Sequence, residues 1–262
     1  MMLRVQGIEK SIAGRQLLGG VDFQVQPREI VFLYGNSGCG KTSLLRIVGG
    51  LDRQHSGRVY LDDQPVVGPT ARIGMVSQEA SSFDWLTARR NIAFGLRYSP
   101  KNSWWQGVFG RVNADTERRV ASRMAELVGL DEADLDKYPS AFSGGMKQRM
   151  SLARALVPGP DIILLDEPFS ALDFEARQAL QDLLLRIRDE TNTAFVCVSH
   201  DPEEVVYLAD RVLVLGGSPT RLLHDIRPQH AGPRAPELKY VPAFQEQKRL
   251  LRSVLTSAPG RI

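Results

Sequence analysis

Cysteine, long apolar runs and surplus charge of one sign are all scarce in this sequence. Its 262 residues include only two cysteines, Cys39 and Cys197, too few for a disulfide framework. One lies in a glycine-rich stretch and the other in an apolar one, so a reducing compartment is expected. No stretch approaches the roughly 18 uninterrupted apolar residues that a membrane span needs. The first residues, MMLRVQGIEK, lack the apolar core of a secretory signal. A cytoplasmic chain is therefore expected, with any membrane role borrowed from a partner. Lys and Arg number 33 against 30 Asp and Glu, and no basic cluster stands apart from acidic neighbours, which argues against nucleic acid as a partner. Internal repeats and low-complexity tracts are also missing.

What is present suits one large domain, or a core domain with an insert. Strands are expected at Leu3–Ile8, Val21–Val25, Glu29–Tyr34 and Arg58–Leu61, with turns at Gly19-Gly20 and over Gln54–Gly57. Ile30–Tyr34 is continuously apolar, as a strand buried on both faces of a parallel sheet would be. Lys41–Gly49 follows as a helix. After a strand at Ile73–Ser77 the helical period dominates from Glu79 to Pro158, and Thr116–Val128 aligns Val120, Met124, Leu127 and Val128. Strands return at Ile162–Asp166, Ala194–Ser199 and Val212–Leu215. Between the first two, Glu175–Glu190 forms a helix with Ala176, Ala179, Leu180, Leu183 and Ile187 on its apolar face. Strand–helix alternation broken by a helical block implies an α/β parallel-sheet core carrying a helical insert. The closing residues hold prolines from Pro219 to Pro242 and an amphipathic stretch, Phe244–Leu255, read as a peripheral tail.

Gly35-Asn36-Ser37-Gly38-Cys39-Gly40-Lys41-Thr42 fits G-x-x-x-x-G-K-[ST] between a buried strand and a helix. Its glycines let several backbone N–H groups point at one phosphate chain, and the helix start adds a favourable partial charge. Lys41 would reach the β- and γ-phosphates, and the Thr42 hydroxyl would complete magnesium coordination. A glycine-rich turn that binds nothing is the plain alternative, and the flanking strand and helix argue against it. Ile162–Leu165 then carries Asp166 and Glu167 to the carboxyl end of a buried strand, where ligands bind in open α/β sheets. Asp166 would hold magnesium and Glu167 would polarise the attacking water.

Phe142-Ser143-Gly144-Gly145-Met146-Lys147-Gln148-Arg149 resembles the signature sequence of the ABC ATPases. Alone, such a Ser-Gly-Gly helix start is an ordinary cap; here it precedes the acidic strand by about twenty residues, as it does in that family. Gln78 resembles the Q-loop glutamine, Ser170-Ala171-Leu172-Asp173 the D-loop and His200 the switch histidine. The resemblance spans nearly the whole chain. It is strongest for importer ATPases of the nitrate, sulfonate (taurine) and bicarbonate type, through Asp84-Trp85-Leu86-Thr87, Asn91-Ile92-Ala93-Phe94-Gly95-Leu96, Tyr138-Pro139 and Pro233-Arg234.

The resemblance implies a P-loop NTPase (RecA-like) core with an N-terminal antiparallel β subdomain and an inserted α-helical subdomain. Residues 1–230 would form a single ABC ATPase domain. Within it, 1–78 and 158–230 are the α/β core and 79–157 the helical insert; 231–262 is the peripheral tail. It further implies a head-to-tail homodimer with ATP and Mg2+ between the copies. Gly35 to Ser43 of one copy would bind the phosphates, and Ser143, Gly144 and Gly145 of the other would donate to the γ-phosphate. Gln78 would join Thr42 and Asp166 at the metal, His200 would hold the water with Glu167, and Asp173 would link the two sites. Integral membrane permease subunits, and indirectly a solute-binding protein, are the implied partners. The chain would sit peripherally on the inner face of the cell membrane. Three departures stand out. Ile12 replaces the aromatic residue that stacks on adenine, Asp84 replaces a proline before Trp85, and Pro100–Val112, with Trp104, Trp105 and Phe109, is an addition. ABC ATPases of lipid or drug exporters, and non-transport ABC ATPases, share the same chemistry and remain alternatives.

Overall fold

The computed structural model describes residues 3–78, 81–98, 113–229 and 234–256. The Pro100–Val112 addition and Pro233 lie outside the described residues. The described parts of Met1–Thr70 and Thr191–Ile262 form one compact unit, and those of Ala71–Glu190 a second. Elements are numbered in chain order. Among the described residues no helix is long and apolar enough to cross a membrane.

In the first unit, β1 (Leu3–Ile12) pairs antiparallel with β2 (Arg15–Val25) and with β4 (Ser56–Leu61), and β5 (Gln64–Pro65) adds an edge. The hairpin turns at Ala13-Gly14, both at positive φ (48° and 78°), and not at Gly19-Gly20 as expected. Those two glycines lie inside β2. Ile8 pairs with Val21 and Glu9 with Gly19, so Gly20, at φ 81°, is the extra residue of a bulge. Gly19 faces Pro219, whose Cγ would stand 2.6 Å from any Cβ there. The expected turn over Gln54–Gly57 is shorter too, since β4 already begins at Ser56.

Beside this antiparallel layer, β3 (Ile30–Gly35) runs parallel between β8 (Ala194–Ser199) and β9 (Arg211–Gly216). Every residue of β3 and β8 is buried, which is what their unbroken apolar runs require. An antiparallel edge strand that the sequence did not announce, β10 (Arg221–Ile226), pairs with β9. α1 (Lys41–Val48) follows β3 and packs on it and on β8. After β8 comes α6 (Pro202–Leu208), begun by Asp201, whose carboxylate accepts from Glu203 N at 2.8 Å, with proline in the first turn. The amphipathic stretch near the end is α7 (Pro242–Thr256), which packs on α6 and β9 through buried Phe244 and Leu251.

In the second unit, β6 (Ile73–Val76) runs parallel to β7 (Ile162–Asp166). Around them lie α2 (Ala88–Ala93), α3 (Ala114–Val128), α4 (Gly144–Leu156) and α5 (Phe174–Glu190). α3 is capped by Asn113, which accepts from Thr116 N at 2.9 Å, and stops at Gly129 with φ 70°. Its stripe of Val120, Met124 and Val128 is buried, as is that of α5 at Leu180, Leu183 and Ile187. Ala176 and Ala179 are only half-buried. α4 starts three residues earlier than Lys147 because Ser143 supplies its cap.

Candidate active site

The loop leaving β3 is shaped by what surrounds its glycines. A Cβ on Gly35 would come within 2.6 Å of Leu215 O, so the strand can pass β9 there only without a side chain. Gly38 and Gly40 adopt φ 77° and 97°, in the region that favours glycine. Gly40 occupies the N-cap of α1 and no side chain caps the helix, whose start is a natural seat for an anion. Buried Lys41 folds back into the loop, its Nζ donating to Gly35 O at 2.8 Å and Asn36 O at 2.9 Å. Cys39 is half-buried; burial pushes its thiol up, and the Lys41 charge only partly offsets this. Cys197 is buried in β8, where burial and then the Glu204 charge raise its thiol, so it packs as a neutral side chain. Thr42 is exposed and Ser43 half-buried.

A cavity of about 490 Å3 opens beside this loop, lined by Asn36, Ser37, Gly38 and Cys39 and, from β1, by Ile12. Ile12 is 52% exposed, so its side chain is available to a ligand rather than spent in the core. The far wall includes Leu17, Thr220 and Leu255. None of these three carries a motif, and only the fold brings them together. His200 follows β8 and is exposed. The chain on either side of it is fixed, because Ser199 Oγ donates to Glu204 Oε2 at 2.6 Å and accepts from Asp201 N at 3.0 Å.

In the second unit, four buried aliphatic residues of β7 deliver Asp166, itself buried, to the strand end. Glu167 follows in a left-handed conformation, φ 46°, unusual for a residue with a side chain. Such backbone costs about 1–3 kcal/mol and collects at functional sites. The Glu167 carbonyl accepts from Ser170 N at 3.2 Å and Ser170 Oγ at 3.0 Å, which ties the next turn beneath it. Gln78 is exposed, with its Nε2 3.5 Å from Ser170 Oγ. Asp173 accepts from Ala176 N at 2.8 Å and so begins α5. Ser143 begins α4 by accepting from Met146 N at 3.3 Å. Gly144 lies against the same turn as Ser170, since a Cβ on it would stand 3.7 Å from Ala171 O.

Sequence reasoning missed the side chains that hold residues 83–87. Asn91 is fully buried; its Oδ1 accepts from Phe83 N at 2.9 Å, and its Nδ2 donates to the carbonyls of Phe83, Leu86 and Thr87. Arg154 lies 4.8 Å from the Phe83 ring centroid, and burial lowers its pKa. The segment they hold leaves Trp85 74% exposed. Among the described residues no group of three His, Cys, Asp or Glu side chains could cage a metal. The Thr42 hydroxyl and Asp166 carboxylate are nevertheless hard oxygen donors of the kind magnesium takes, one or two at a time, alongside phosphates and waters.

Comparisons with known proteins agree with this geometry. The family model described as ABC transporter matches residues 18–170. An aliphatic sulfonates import ATP-binding protein of Xanthomonas axonopodis pv. citri is 39% identical over 95% of this chain and 96% of its own length. A sulfate/thiosulfate import ATP-binding protein of Pseudomonas syringae pv. tomato is 38% identical over 82% of this chain and 64% of its own. Among solved structures, the ATP-binding cassette MJ0796, a dimer in a post-hydrolysis state bound to ADP and Pi, superposes with a TM-score of 0.74. That match has 25% identity over 87% of this chain and 99% of the other. With a parallel-stranded core, an antiparallel β layer and a phosphate loop leading into α1, the chain belongs to the ABC transporter family of P-loop ATPases.

Proposed function

We propose that this chain is the ATP-hydrolysing subunit of an importer that takes up a small oxyanion, with sulfonates as the first candidates. The observation that carries the nucleotide reading is the phosphate loop, with its two left-handed glycines, uncapped helix start and buried Lys41. The names of the sulfonate and sulfate import relatives support the solute class. Taurine is itself a sulfonate, and nitrate and bicarbonate belong to the same range of small anionic or polar solutes.

In this reading residues 35–43 bind the phosphates and Lys41 turns its ammonium from the loop carbonyls to the β- and γ-phosphates. Thr42, Asp166 and Gln78 would hold Mg2+, which when bound offsets the charge on those phosphates. Glu167 takes a proton from the attacking water as its oxygen bonds to the γ-phosphorus, and the bond to ADP breaks. His200 contacts the γ-phosphate and holds that water. Ser143, Gly144 and Gly145 of a second copy donate to the same phosphate in a head-to-tail homodimer, with Asp173 connecting the sites. Ile12 covers the base without the stacking term of an aromatic ring, worth about 0.5–1.5 kcal/mol. Membrane permease subunits, and through them a solute-binding protein, are the partners, and they hold the chain on the inner face of the membrane.

Glu167→Gln tests the mechanism. Turnover of MgATP should fall by about 10^2–10^4-fold, the usual worth of a positioned base, while ATP still binds. Wild-type turnover in that variant would refute Glu167 as the base.

A further inference from the structure

The cavity beside the phosphate loop has a wall that the loop itself does not supply. Leu255, one residue from the end of α7, lines it together with Ile12, Leu17, Ser37 and Thr220. Helical spacing accounts for its position. Phe244, Lys248, Leu251 and Leu255 fall at i, i+4, i+7 and i+11, one face of the helix. Phe244 and Leu251 on that face are buried, and Leu255 is half-buried.

That face is pinned in place. Lys248 Nζ donates to Glu203 Oε2 of α6 at 2.6 Å, and Lys239 Nζ stands 3.9 Å from the other oxygen of the same carboxylate. Gln247 accepts from Gln229 N at 2.8 Å, which ties α7 to the chain after β10. Arg252 acts on Tyr34, the residue before Gly35. Burial pushes the Tyr34 hydroxyl up to about 12, and the Arg252 charge pulls it partly back. The C-terminal helix is thus fixed against α6, the element that follows His200, and packs on β9, which pairs with the strand that feeds the phosphate loop.

The cavity is lined at the loop by Asn36 and Ser37, and elsewhere by aliphatic Ile12, Leu17 and Leu255 together with polar Arg15 and Gln16. That mixture suits a ligand with a phosphate chain and a base, whose flat face takes aliphatic contacts and whose edge takes polar ones, and about 490 Å3 is ample for it. We propose that Leu255 is a base-contacting residue, and that the C-terminal helix is a working part of the nucleotide site rather than a peripheral tail. The proposal rests on the nucleotide-binding reading above and deepens it, because Ile12 alone gives the base one aliphatic contact where Ile12 and Leu255 give two.

The test is calorimetric titration of the full chain, in Mg2+, with ATP and separately with inorganic tripolyphosphate, which has the phosphates but no base. Leu255→Ala should weaken ATP by about tenfold, since it removes the aliphatic contact with the base and adds no charge, and leave tripolyphosphate unchanged. Leu255→Met should bind ATP within about twofold of wild type, as a volume-conserving apolar swap. Unchanged ATP affinity in Leu255→Ala would overturn the proposal, and so would equal weakening of both ligands or equal loss in Leu255→Met. A wild-type chain that binds tripolyphosphate as tightly as ATP would overturn it too. A wild-type chain that binds neither ligand would instead overturn the nucleotide reading beneath it.

Discussion

α1 and α4 both begin in glycine-rich turns, and they are finished in opposite ways. Behind α1, Gly40 is left-handed at φ 97°, no side chain caps the helix, and Lys41 is folded into the loop. Behind α4, Ser143 is extended and its hydroxyl accepts from Met146 N. The glycines differ as well. A Cβ on Gly40 would press on Leu18 Cδ2 at 3.0 Å, whereas one on Gly144 would meet nothing nearer than Ala171 O at 3.7 Å. The first turn needs its glycines for its own geometry. In the second, Gly145 is held by the approach of α5, since a Cβ there would press on Ala176 Cβ at 3.2 Å, but nothing inside the chain requires Gly144. That is the pattern expected if α1 binds phosphate within one copy and α4 meets a nucleotide held by another.

Substitutions at these positions can break or sharpen the contrast. Gly40→Ala should have the largest effect, costing about 1–3 kcal/mol of stability through the left-handed backbone and lowering MgATP affinity at least as far as a distorted loop implies. Thermal unfolding and calorimetry read both. Ser143→Ala should cost about 1 kcal/mol through the lost cap. For a chain this long that is a fall of about 2–4 °C in Tm, with MgATP binding by the isolated copy retained and turnover lowered. Gly144→Ala should be the mildest for folding. Alanine is the better helix former by about 1 kcal/mol, so Tm should hold or rise while turnover falls. A destabilised Gly144→Ala would show that the chain itself needs this glycine, and the contrast would end.

The sequence was most readable where structure is set by neighbours in the chain. β7 spans Ile162–Asp166 as its aliphatic run implies, and β8 spans Ala194–Ser199. The phosphate loop lies where its motif places it, between β3 and α1. Legibility failed where distant contacts decide. Gly19-Gly20 reads as a turn, but the pair sits inside β2 because Pro219, two hundred residues on, packs against Gly19. The sequence did not announce β10 either, whose strand exists by pairing with β9. Asp201-Pro202, by contrast, is a local start signal, a capping carboxylate followed by a first-turn proline, and α6 begins there. At the site, Asp173 and Ser143 are legible as motif residues, yet each also starts a helix, a local role that spacing alone does not separate from catalysis. Leu255 carries no local signal, since its place at the cavity depends on how α7 docks on α6.

The central claim is that the loop before α1 is where this chain binds a nucleotide, and calorimetry with MgATP tests it most directly. Lys41→Ala removes the buried ammonium and the charge-assisted hydrogen bonds it would give the phosphates, worth about 1.5–3 kcal/mol. ATP affinity should therefore fall by about 10- to 100-fold relative to wild type. Equal affinity in the two proteins would contradict the account.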